Sequence, residues 1–145
     1  MECIDFCLFG VYGVDDAGRS LVYVFTRSAH STGSLIEVDG IVADCKSGVS
    51  GAGRSPSLTA HFGEVNESFK AYKVAAHRHN PEMEAYLGRE AGRPVTLTFV
   101  PHLVPMTRGM LATIYARPAV GVTAHTVQEC LSAFYADRPF VRLRP

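Results

Sequence analysis

Two histidines in front of a predicted helix are the residues in this sequence best suited to chemistry. His77 and His79 directly precede Asn80 and Pro81, which are typical of the N-cap and first turn of a helix. The positive end of a helix dipole favours the neutral form of a nearby imidazole, which can then accept a proton. Glu82, in the first turn, favours the protonated imidazole instead. The spacing alone therefore leaves open which form of the ring is favoured. The same spacing also fits two histidines that only cap and pack.

A glycine-rich turn earlier in the chain is the second candidate. Residues 47–54 read SGVSGAGR, with glycines spaced as G-x-x-G-x-G. This spacing differs from the dinucleotide fingerprint G-x-G-x-x-G. Glycine and serine could still let backbone N–H groups approach an anion, with Lys46 and Arg54 supplying positive charge on either side. A plain flexible turn explains the pattern equally well.

The four cysteines fit neither a zinc cluster nor a disulfide framework. Cys3, Cys7, Cys45 and Cys130 have no C-x-x-C spacing. Cys130 lies on an apolar helical stripe and is predicted to be core. Cys45 ends an apolar run, where a reactive thiolate is an alternative to burial. A metal site built on Cys45 and the two histidines is a further alternative, but its spacing matches no standard set of zinc ligands, so we expect no metal.

Strand and helix patterns define the elements that would position these residues. Alternating or continuous apolar runs predict strands, and apolar stripes at helical spacing predict helices. The predicted strands are 41–45, 95–99 and 110–116, and the predicted helices are 81–91 and a last one that is capped by Thr123 or Thr126 and ends before Pro139. Residues 1–34 are predicted to be extended, with a hairpin. The pattern predicts an α+β domain with a mixed, largely antiparallel sheet and helices on one face.

The strand pattern also makes predictions about the edges of the sheet. Pro101 and Pro105 predict that residues 101–106 form a bulged or edge segment. Apolar residues on both faces of 110–116 predict a central strand. The apolar pattern that starts at 140–143 stops with the chain, so we expect an incomplete sheet whose open edges favour pairing with another chain.

Composition and charge exclude several classes of partner. Of the 145 residues, 47% are hydrophobic and 19% are charged, as in a globular domain with a core. The 14 basic and 14 acidic side chains cancel, so bulk charge gives no argument for a nucleic acid or a membrane surface as partner. No apolar run reaches about 18 residues, which predicts no transmembrane helix. Glu2 and Asp5 stand where a signal peptide needs basic residues, so we expect a cytoplasmic protein.

Four segments together resemble the N-acetyl-γ-glutamyl-phosphate reductase family. Residues 44–54, DCKSGVSGAGR, resemble its D-[AC]-K-S-G-x-S-G-A-G-R signature, and residues 77–82, HRHNPE, resemble its H-R-H-x-P-E segment. Residues 100–113, VPHLVPMTRGMLAT, resemble its T-P-H-L-x-P-x-x-R-G-I-L-A-T strand, and residues 135–141, YADRPFV, are similar to its Y-x-x-E-P-F-V end. The four segments occur in the family's order across residues 35–145.

The resemblance implies an oxidoreductase of arginine biosynthesis, similar to the aspartate-semialdehyde and glyceraldehyde-phosphate dehydrogenases. It implies a Rossmann domain that holds NADP. It also implies a second α+β domain that binds N-acetyl-glutamyl phosphate and makes the contacts of a homo-oligomer. In that family the substrate forms a thioester with a cysteine, and hydride from NADPH reduces the thioester to the aldehyde.

The resemblance also assigns roles to single residues. It implies that His77 supplies the base and that Glu82 orients it. The residues implied to meet substrate or cofactor are Ser47, Gly48, Ser50, Gly51, Arg54, His79 and Arg108. A guanidinium fork suits a substrate carboxylate, although an ion pair that holds a loop explains Arg108 as well.

Departures from the family pattern bear on activity. The sequence has no G-x-G-x-x-G fingerprint, and the nucleophile motif Asn-Pro-Gly-Cys is absent. Residues 18–22, where the resemblance would place that motif, contain no cysteine. We leave residues 1–34 unassigned, assign 35–145 to part of the catalytic and dimerisation domain, and predict that the isolated chain is inactive. The alternatives are a non-catalytic oligomerisation module and a decayed remnant of the enzyme.

Overall fold

The structure, a computed structural model, describes residues 35–53, 55–137 and 141–144. The hairpin predicted before residue 35 and the candidate ligand Arg54 lie outside these ranges. The fold and the site are therefore built from the remaining predicted elements.

A four-stranded mixed sheet is the centre of the described structure. Its strands are β1 (Ile41–Ser47), β2 (Lys70–Ala71), β3 (Leu97–Leu103) and β4 (Met110–Tyr115), in the spatial order β2-β3-β1-β4. β1 and β3 are parallel, with Ile41 opposite Leu97 and Ser47 opposite Leu103. β4 is antiparallel to β1, and β2 is antiparallel to β3. The predicted α+β class is confirmed.

Three α-helices and two short 3-10 turns accompany the strands. They are α1 (Phe62–Val65), α2 (Asn80–Ala91) and α3 (Ala124–Tyr135), with 3-10 turns at Val49–Ala52 and Leu58–Ala60. Met83 of α2 and Val127 of α3 line one cavity together with Ile41 and Cys45 of β1, so both longer helices lie on the same face of the sheet. Within the described ranges, no helix combines the length and apolar character needed to cross a membrane.

The core is the layer between the sheet and α2. Every second residue along most of β1 and β3 is buried, as expected for strands with one covered face. The buried side chains of this layer include Ile41, Ala43, Cys45, Met83, Leu87, Leu97 and Phe99. The strand predicted over residues 41–45 is confirmed and continues to Ser47.

The start of α2 differs by one residue from the prediction. His79 rather than Asn80 is the cap residue, and its side chain makes no capping hydrogen bond. The side-chain oxygen of Asn80 is buried and has no hydrogen-bond partner among the described residues, so the capping role predicted for Asn80 is wrong. Pro81 lies in the first turn, and Gly92 ends the helix in the left-handed conformation with a φ of 67°.

The apolar stripe of α3 is less buried than predicted. The helix begins after Thr123, whose side chain accepts a hydrogen bond from the backbone N–H of Thr126, so the first of the two predicted caps is used. None of its side chains is fully buried, and the predicted core residue Cys130 is half-buried.

Pro101 lies inside the sheet, so the bulged or edge segment predicted around it is wrong. It stands opposite Cys45 in β3, between β1 and β2. The two polar backbone groups of one strand residue point to the same neighbouring strand. The carbonyl oxygen of Pro101 accepts from the N–H of Tyr72 at 3.0 Å, so its missing N–H faces the side where β2 has already ended. The sheet therefore loses no β1–β3 hydrogen bond at this proline.

β4 lies at the edge of the sheet that the described residues form, and not at the central position that the sequence predicted. Leu111 and Tyr115 are 60% and 56% exposed, respectively. Apolar side chains on both faces of a strand indicate cover on both faces. No described residue covers this side of β4, which leaves an apolar surface at the edge.

Candidate ligand-binding cleft

A cleft near the carboxyl ends of β1 and β3 brings together residues from both candidate segments. Its volume is about 490 Å³, within the range of roughly 300–1,000 Å³ that is usual for small-molecule sites. The side chains and backbone that line it come from the glycine-rich turn, the histidine segment, the chain around β2, and the strands: Ser47, Gly51, Ala52, Thr59, Ala60, Lys70, Tyr72, Lys73, His77, Arg78, His79, Phe99, Leu103 and Met110. Four predicted site residues, Ser47, Gly51, His77 and His79, therefore meet in one place.

The imidazole of His77 is held by its neighbours. The ring centroids of His79, Phe99 and Tyr72 lie 4.9, 5.3 and 5.9 Å from that of His77, each in an edge-to-face arrangement. The ring nitrogen Nδ1 of His77 accepts a hydrogen bond from the backbone N–H of His79 at 3.2 Å. These contacts fix the plane and the direction of the ring.

The charge state of His77 follows from this environment. Burial lowers its pKa, and positive charge on His79, Lys73 and Arg78 lowers it further. The imidazole is therefore neutral near pH 7. The sequence left open whether the pKa of His77 would be raised or lowered. In the structure, burial and cationic neighbours lower it.

Two of the three cations in the cleft have no anionic partner in the described part of the chain. Lys73 and Arg78 line the cleft, and neither belongs to any of the ion pairs among the described residues. The third, Lys70, donates from Nζ to the backbone carbonyl oxygen of Glu64 at 3.1 Å. An unpaired ammonium and an unpaired guanidinium beside a neutral imidazole favour an anionic ligand.

The backbone that carries these side chains has an uncommon conformation. Lys73 and Ala75 both have positive φ, at 45° and 50°, a region that non-glycine residues rarely adopt. The segment is held in place by hydrogen bonds from the N–H of Ala75 to the carbonyl oxygen of Phe99 at 2.9 Å and from Ala76 to Lys73 at 3.0 Å. Such conformations persist only where surrounding contacts enforce them, and they are frequent at ligand sites.

The glycine-rich turn does not form the anion cradle that its composition allowed. Most of its backbone N–H groups donate to backbone carbonyl oxygens: Gly48 to Gly109, Val49 to Met106, Ser50 to Thr107, Gly51 to Gly48 and Gly53 to Ser50, at 2.9–3.2 Å. The first three bonds attach the turn to the loop before β4, the other two lie within the turn, and all five leave their amides unavailable to an anion. Lys46, one of the two flanking cations, pairs with Asp44 instead.

Gly48 has a steric reason to be glycine. A Cβ atom at this position would lie 2.9 Å from the carbonyl carbon of Arg108 and 3.0 Å from its Cα. The glycine therefore permits close contact between the turn and the loop that carries Arg108.

Among the described residues, the other predicted site residues do not line the cleft. Glu82 is half-buried in the first turn of α2, and no hydrogen bond or ion pair joins it to His77 among the described contacts. Its neighbour Glu84 instead accepts from the backbone N–H of Leu97 at 2.9 Å and so ties α2 to β3. Ser50 lines a separate cavity of about 510 Å³, and the side chain of Arg108 is exposed.

Several cleft residues were not identified from the sequence, and three of them lie close to His77. Tyr72, Lys73 and Arg78 line the cleft beside His77. Arg78 stands between the two histidines. The aromatic Tyr72 and the cationic Lys73 precede them by a few residues. The clustering of positive charge around His77 was therefore visible in the sequence.

Cys45 is a buried thiol. Burial, and secondarily the negative charge of Asp44, raise the pKa of Cys45 to about 11. A thiolate is the nucleophilic form of cysteine, so the reactive-thiolate alternative is wrong. Within the described ranges no three histidine, cysteine or acidic side chains converge on a point where a metal ion could bind.

The fold and the cleft define a class of protein: an α+β domain with a mixed sheet, helices on one face and a histidine-containing cleft. Residues 25–145 match the family described as semialdehyde dehydrogenase, dimerisation domain, and the chain belongs to this family. This match agrees with the α+β architecture predicted from the strand and helix patterns.

The chain is also similar to curated proteins named N-acetyl-gamma-glutamyl-phosphate reductase. It is 58% identical over 111 residues to that of Desulforapulum autotrophicum, covering 77% of this chain and 32% of the relative. It is 57% identical over 111 residues to that of Desulforudis audaxviator, with the same coverage. The reductase of Staphylococcus aureus is 46% identical over 110 residues, covering 76% of this chain and 32% of the relative. The resemblance drawn from four segments is confirmed, and the chain spans about a third of the length of these relatives.

Proposed function

We propose that these residues form part of the substrate-binding region of an N-acetyl-γ-glutamyl-phosphate reductase of arginine biosynthesis, acting in the cytoplasm. The complete reaction would reduce N-acetyl-glutamyl phosphate to the semialdehyde with NADPH. The observation that carries this proposal is the cleft in which His77 lies beside Lys73 and Arg78.

The chemistry of the cleft suits this substrate. The proposed substrate carries a phosphoryl group and a carboxylate, both of which are oxyanions. Lys73 and Arg78 supply positive charge without an anionic partner in the described part of the chain, and a guanidinium binds phosphate or carboxylate in a bidentate manner. Ser47 and Tyr72 add polar and aromatic side chains that could orient the ligand.

The cofactor implied by the family resemblance does not fit the described residues. A dinucleotide is usually held by free backbone amides of a glycine-rich turn that opens a helix. Here five amides of the turn at residues 48–53 already donate to carbonyl oxygens, and the turn itself forms a 3-10 turn at Val49–Ala52 and does not open an α-helix. No part of the proposed function is therefore assigned to NADP binding by these residues.

The test is ligand binding by the 145-residue chain. We expect N-acetyl-L-glutamate and inorganic phosphate to shift the backbone NMR resonances of residues 70–79. Lys73→Ala and Arg78→Ala should each weaken binding by roughly tenfold, as expected for loss of a charge-assisted hydrogen bond. Lys70→Ala is the matched control, because Lys70 already donates to Glu64. Absence of shifts, or shifts centred on another region, would contradict the proposal.

We also propose that the chain alone does not turn over. The nucleophile motif of the family resemblance does not occur in the sequence, and Cys45 is buried with a pKa of about 11. The assay is oxidation of NADPH by the purified chain in the presence of an acyl phosphate. Turnover above that of a denatured sample would contradict this part of the proposal.

A second candidate function is oligomerisation without catalysis. The exposed apolar residues of β4 and the family description as a dimerisation domain favour it. Ligand binding in the cleft distinguishes the two functions, since an oligomerisation module has no need for an oxyanion site.

A further inference from the structure

The segment between α1 and α2 forms one wall of the cleft. It comprises residues 66–76, which include β2, and is here termed the strap. Three of its residues, Lys70, Tyr72 and Lys73, line the cleft. Its ends are fixed by the buried Val65 on one side and by α2, which packs in the core, on the other. The forces that hold the strap in place therefore decide whether this wall of the cleft is present.

The strap contributes no side chain to the core. Among residues 66–76, all of which the structure describes, none is fully buried. Phe69 is 62% exposed and Val74 is 50% exposed, although both are apolar. Burial of apolar area is the main favourable term in folding, so a segment without it has low local stability.

Backbone hydrogen bonds to a single strand hold the strap against the sheet. β2 has two residues, pairs with β3 alone and forms one edge of the described sheet. After β2, the N–H of Tyr72 donates to the carbonyl oxygen of Pro101 at 3.0 Å. The N–H of Ala75 donates to the carbonyl oxygen of Phe99 at 2.9 Å. Such bonds contribute little net stability at an exposed edge, because water offers the same groups an alternative partner.

The backbone conformation of the strap opposes its ordered state. Glu67, Lys73 and Ala75 have φ values of 59°, 45° and 50°, and they are the only non-glycine residues with positive φ among those that the structure describes. In this left-handed region the Cβ atom of an L-residue crowds the backbone carbonyl, so each of these residues is less stable there than glycine would be. This strain is relieved when the strap leaves the sheet.

We infer that the strap opens from the edge of the sheet as a unit while the core stays folded, and that the cleft is complete only when the strap is closed. Opening costs less free energy than unfolding, because it exposes no buried side chain and relieves backbone strain. An open strap removes Lys70, Tyr72 and Lys73 from the cleft, and a ligand that contacts them favours the closed form. Only the nature of that ligand rests on the proposed function.

Two alanine-to-glycine variants of the strap test the opening. Ala75 has positive φ, whereas Ala71 lies in the extended strand β2, and both side chains are exposed. Ala75→Gly removes the strain of the closed form and should favour that form. Ala71→Gly relieves no strain and makes the open chain more flexible, so it should favour the open form. The same change of side chain is thus expected to act in opposite directions.

The measurement is amide hydrogen exchange of the 145-residue chain, followed by NMR and corrected for intrinsic rates. The reporter is the N–H of Tyr72, and the reference is the set of amides of β1, which lies between β3 and β4. We expect the Tyr72 amide to exchange roughly tenfold or more faster than the reference amides. Ala75→Gly should slow it roughly threefold, and Ala71→Gly should speed it roughly threefold. Equal rates for reporter and reference, or the absence of opposite effects in the two variants, would overturn the inference.

Ligand protection tests the link between the strap and the cleft, with inorganic phosphate and N-acetyl-L-glutamate as probes. At ten times its dissociation constant, a probe that binds only the closed form should slow exchange at Tyr72 and Ala75 by roughly tenfold. The N–H of Thr126, which donates to Thr123 at the start of α3, is the control and should not change. Binding that leaves the strap amides unprotected would overturn the inference. If neither probe binds, the proposed function fails, while the glycine variants still confirm or overturn the opening of the strap.

Discussion

At the scale of single residues, the properties of His77 come from its neighbours in space. The sequence places it near the N-terminus of a helix, and the helix dipole alone would favour the neutral ring. In the structure the larger causes are burial and the positive charge of His79, Lys73 and Arg78. Only the fold brings Tyr72 and Phe99 to its ring, so the sequence could identify the residue but not its charge state.

The lowered pKa of His77 predicts a pH dependence. The titration midpoint of His77 should lie below the usual value of about 6.5. Between the folded and unfolded pKa values the unfolded chain binds more protons, so the stability contribution of His77 should fall as the pH drops through this window and be constant above it. The measurement is an NMR titration of the ring proton, with urea unfolding at pH 7.5 and 5.5.

The control for this titration is His77→Gln, which removes the titrating group. Its unfolding free energy should depend less on pH between these two values than that of the unmodified chain. A midpoint for His77 at or above 6.5 would contradict the prediction.

Cys45 should resist alkylation in the folded chain. It is 1% exposed, and its pKa is about 11, so little thiolate forms at pH 8 and reagents cannot reach it. Iodoacetamide treatment followed by peptide mass analysis should leave Cys45 unmodified under native conditions and modified in urea. Cys130, which is half-buried, should react faster. Equal native rates at the two residues would show that the core around Cys45 opens.

At the scale of elements, the sequence predicted the helices better than the positions of strands in the sheet. Thr123 caps the start of α3, and Gly92 ends α2. Both act within a few residues of their own position, so the sequence alone predicts them. The position of Pro101 in an internal strand depends on the length of β2, which is only two residues. The contact between the glycine-rich turn and the loop at residues 106–109 is likewise non-local, which is why the amides of the turn could not be assigned from the sequence.

Gly48→Ala should destabilise the chain through this non-local contact. The added Cβ would lie 2.9–3.0 Å from backbone atoms of Arg108, and backbone cannot yield as a flexible side chain can. We expect a loss of about 1–3 kcal/mol, typical of overpacking. The matched control is Gly63→Ala, where the nearest atom to the new Cβ is 3.6 Å away and the residue is helical. Urea unfolding midpoints measure both, and an equal effect at the two positions would contradict the steric explanation.

The cap of α3 gives a second prediction at this scale. Thr123→Ala removes the oxygen that accepts from the backbone N–H of Thr126 and should cost about 1 kcal/mol. Thr126→Ala keeps that backbone donor and should cost less, since only the hydroxyl contact with Thr123 is lost. Thermal unfolding of the two variants checks the order. A larger effect at Thr126 would indicate that the cap lies there instead.

At the scale of the whole molecule, the sheet has one covered and one open face among the described residues. Ile41, Ala43 and Cys45 of β1 face the helices. On the opposite face, Lys46 stands beside Leu111 and Val42 beside Tyr115 in the register of β1 and β4. The sequence showed that β4 is apolar on both sides, but it could not show that no described element covers the second side. A strand with this character at an edge favours association with another chain.

We therefore expect the 145-residue chain to self-associate. Its mass by light scattering after size exclusion should rise with concentration from 15.7 kDa towards that of a dimer. Leu111→Lys combined with Tyr115→Lys should shift the equilibrium towards monomer by roughly tenfold or more, because two apolar side chains that are buried in the contact would become charged. This outcome would place the contact on the outer face of β4.

The control for self-association is Leu58→Lys, because Leu58 is 79% exposed but lies in a 3-10 turn away from the sheet. It is compared with Leu111→Lys alone, which likewise replaces one exposed leucine and adds one positive charge. If it disrupts association as strongly as the β4 variant, general hydrophobic stickiness rather than the sheet explains the oligomer. A chain that remains monomeric at all concentrations would contradict the prediction. An effect confined to β4 would link the oligomer directly to the edge strand, since Leu111→Lys alone and Leu58→Lys make the same change of side chain and charge.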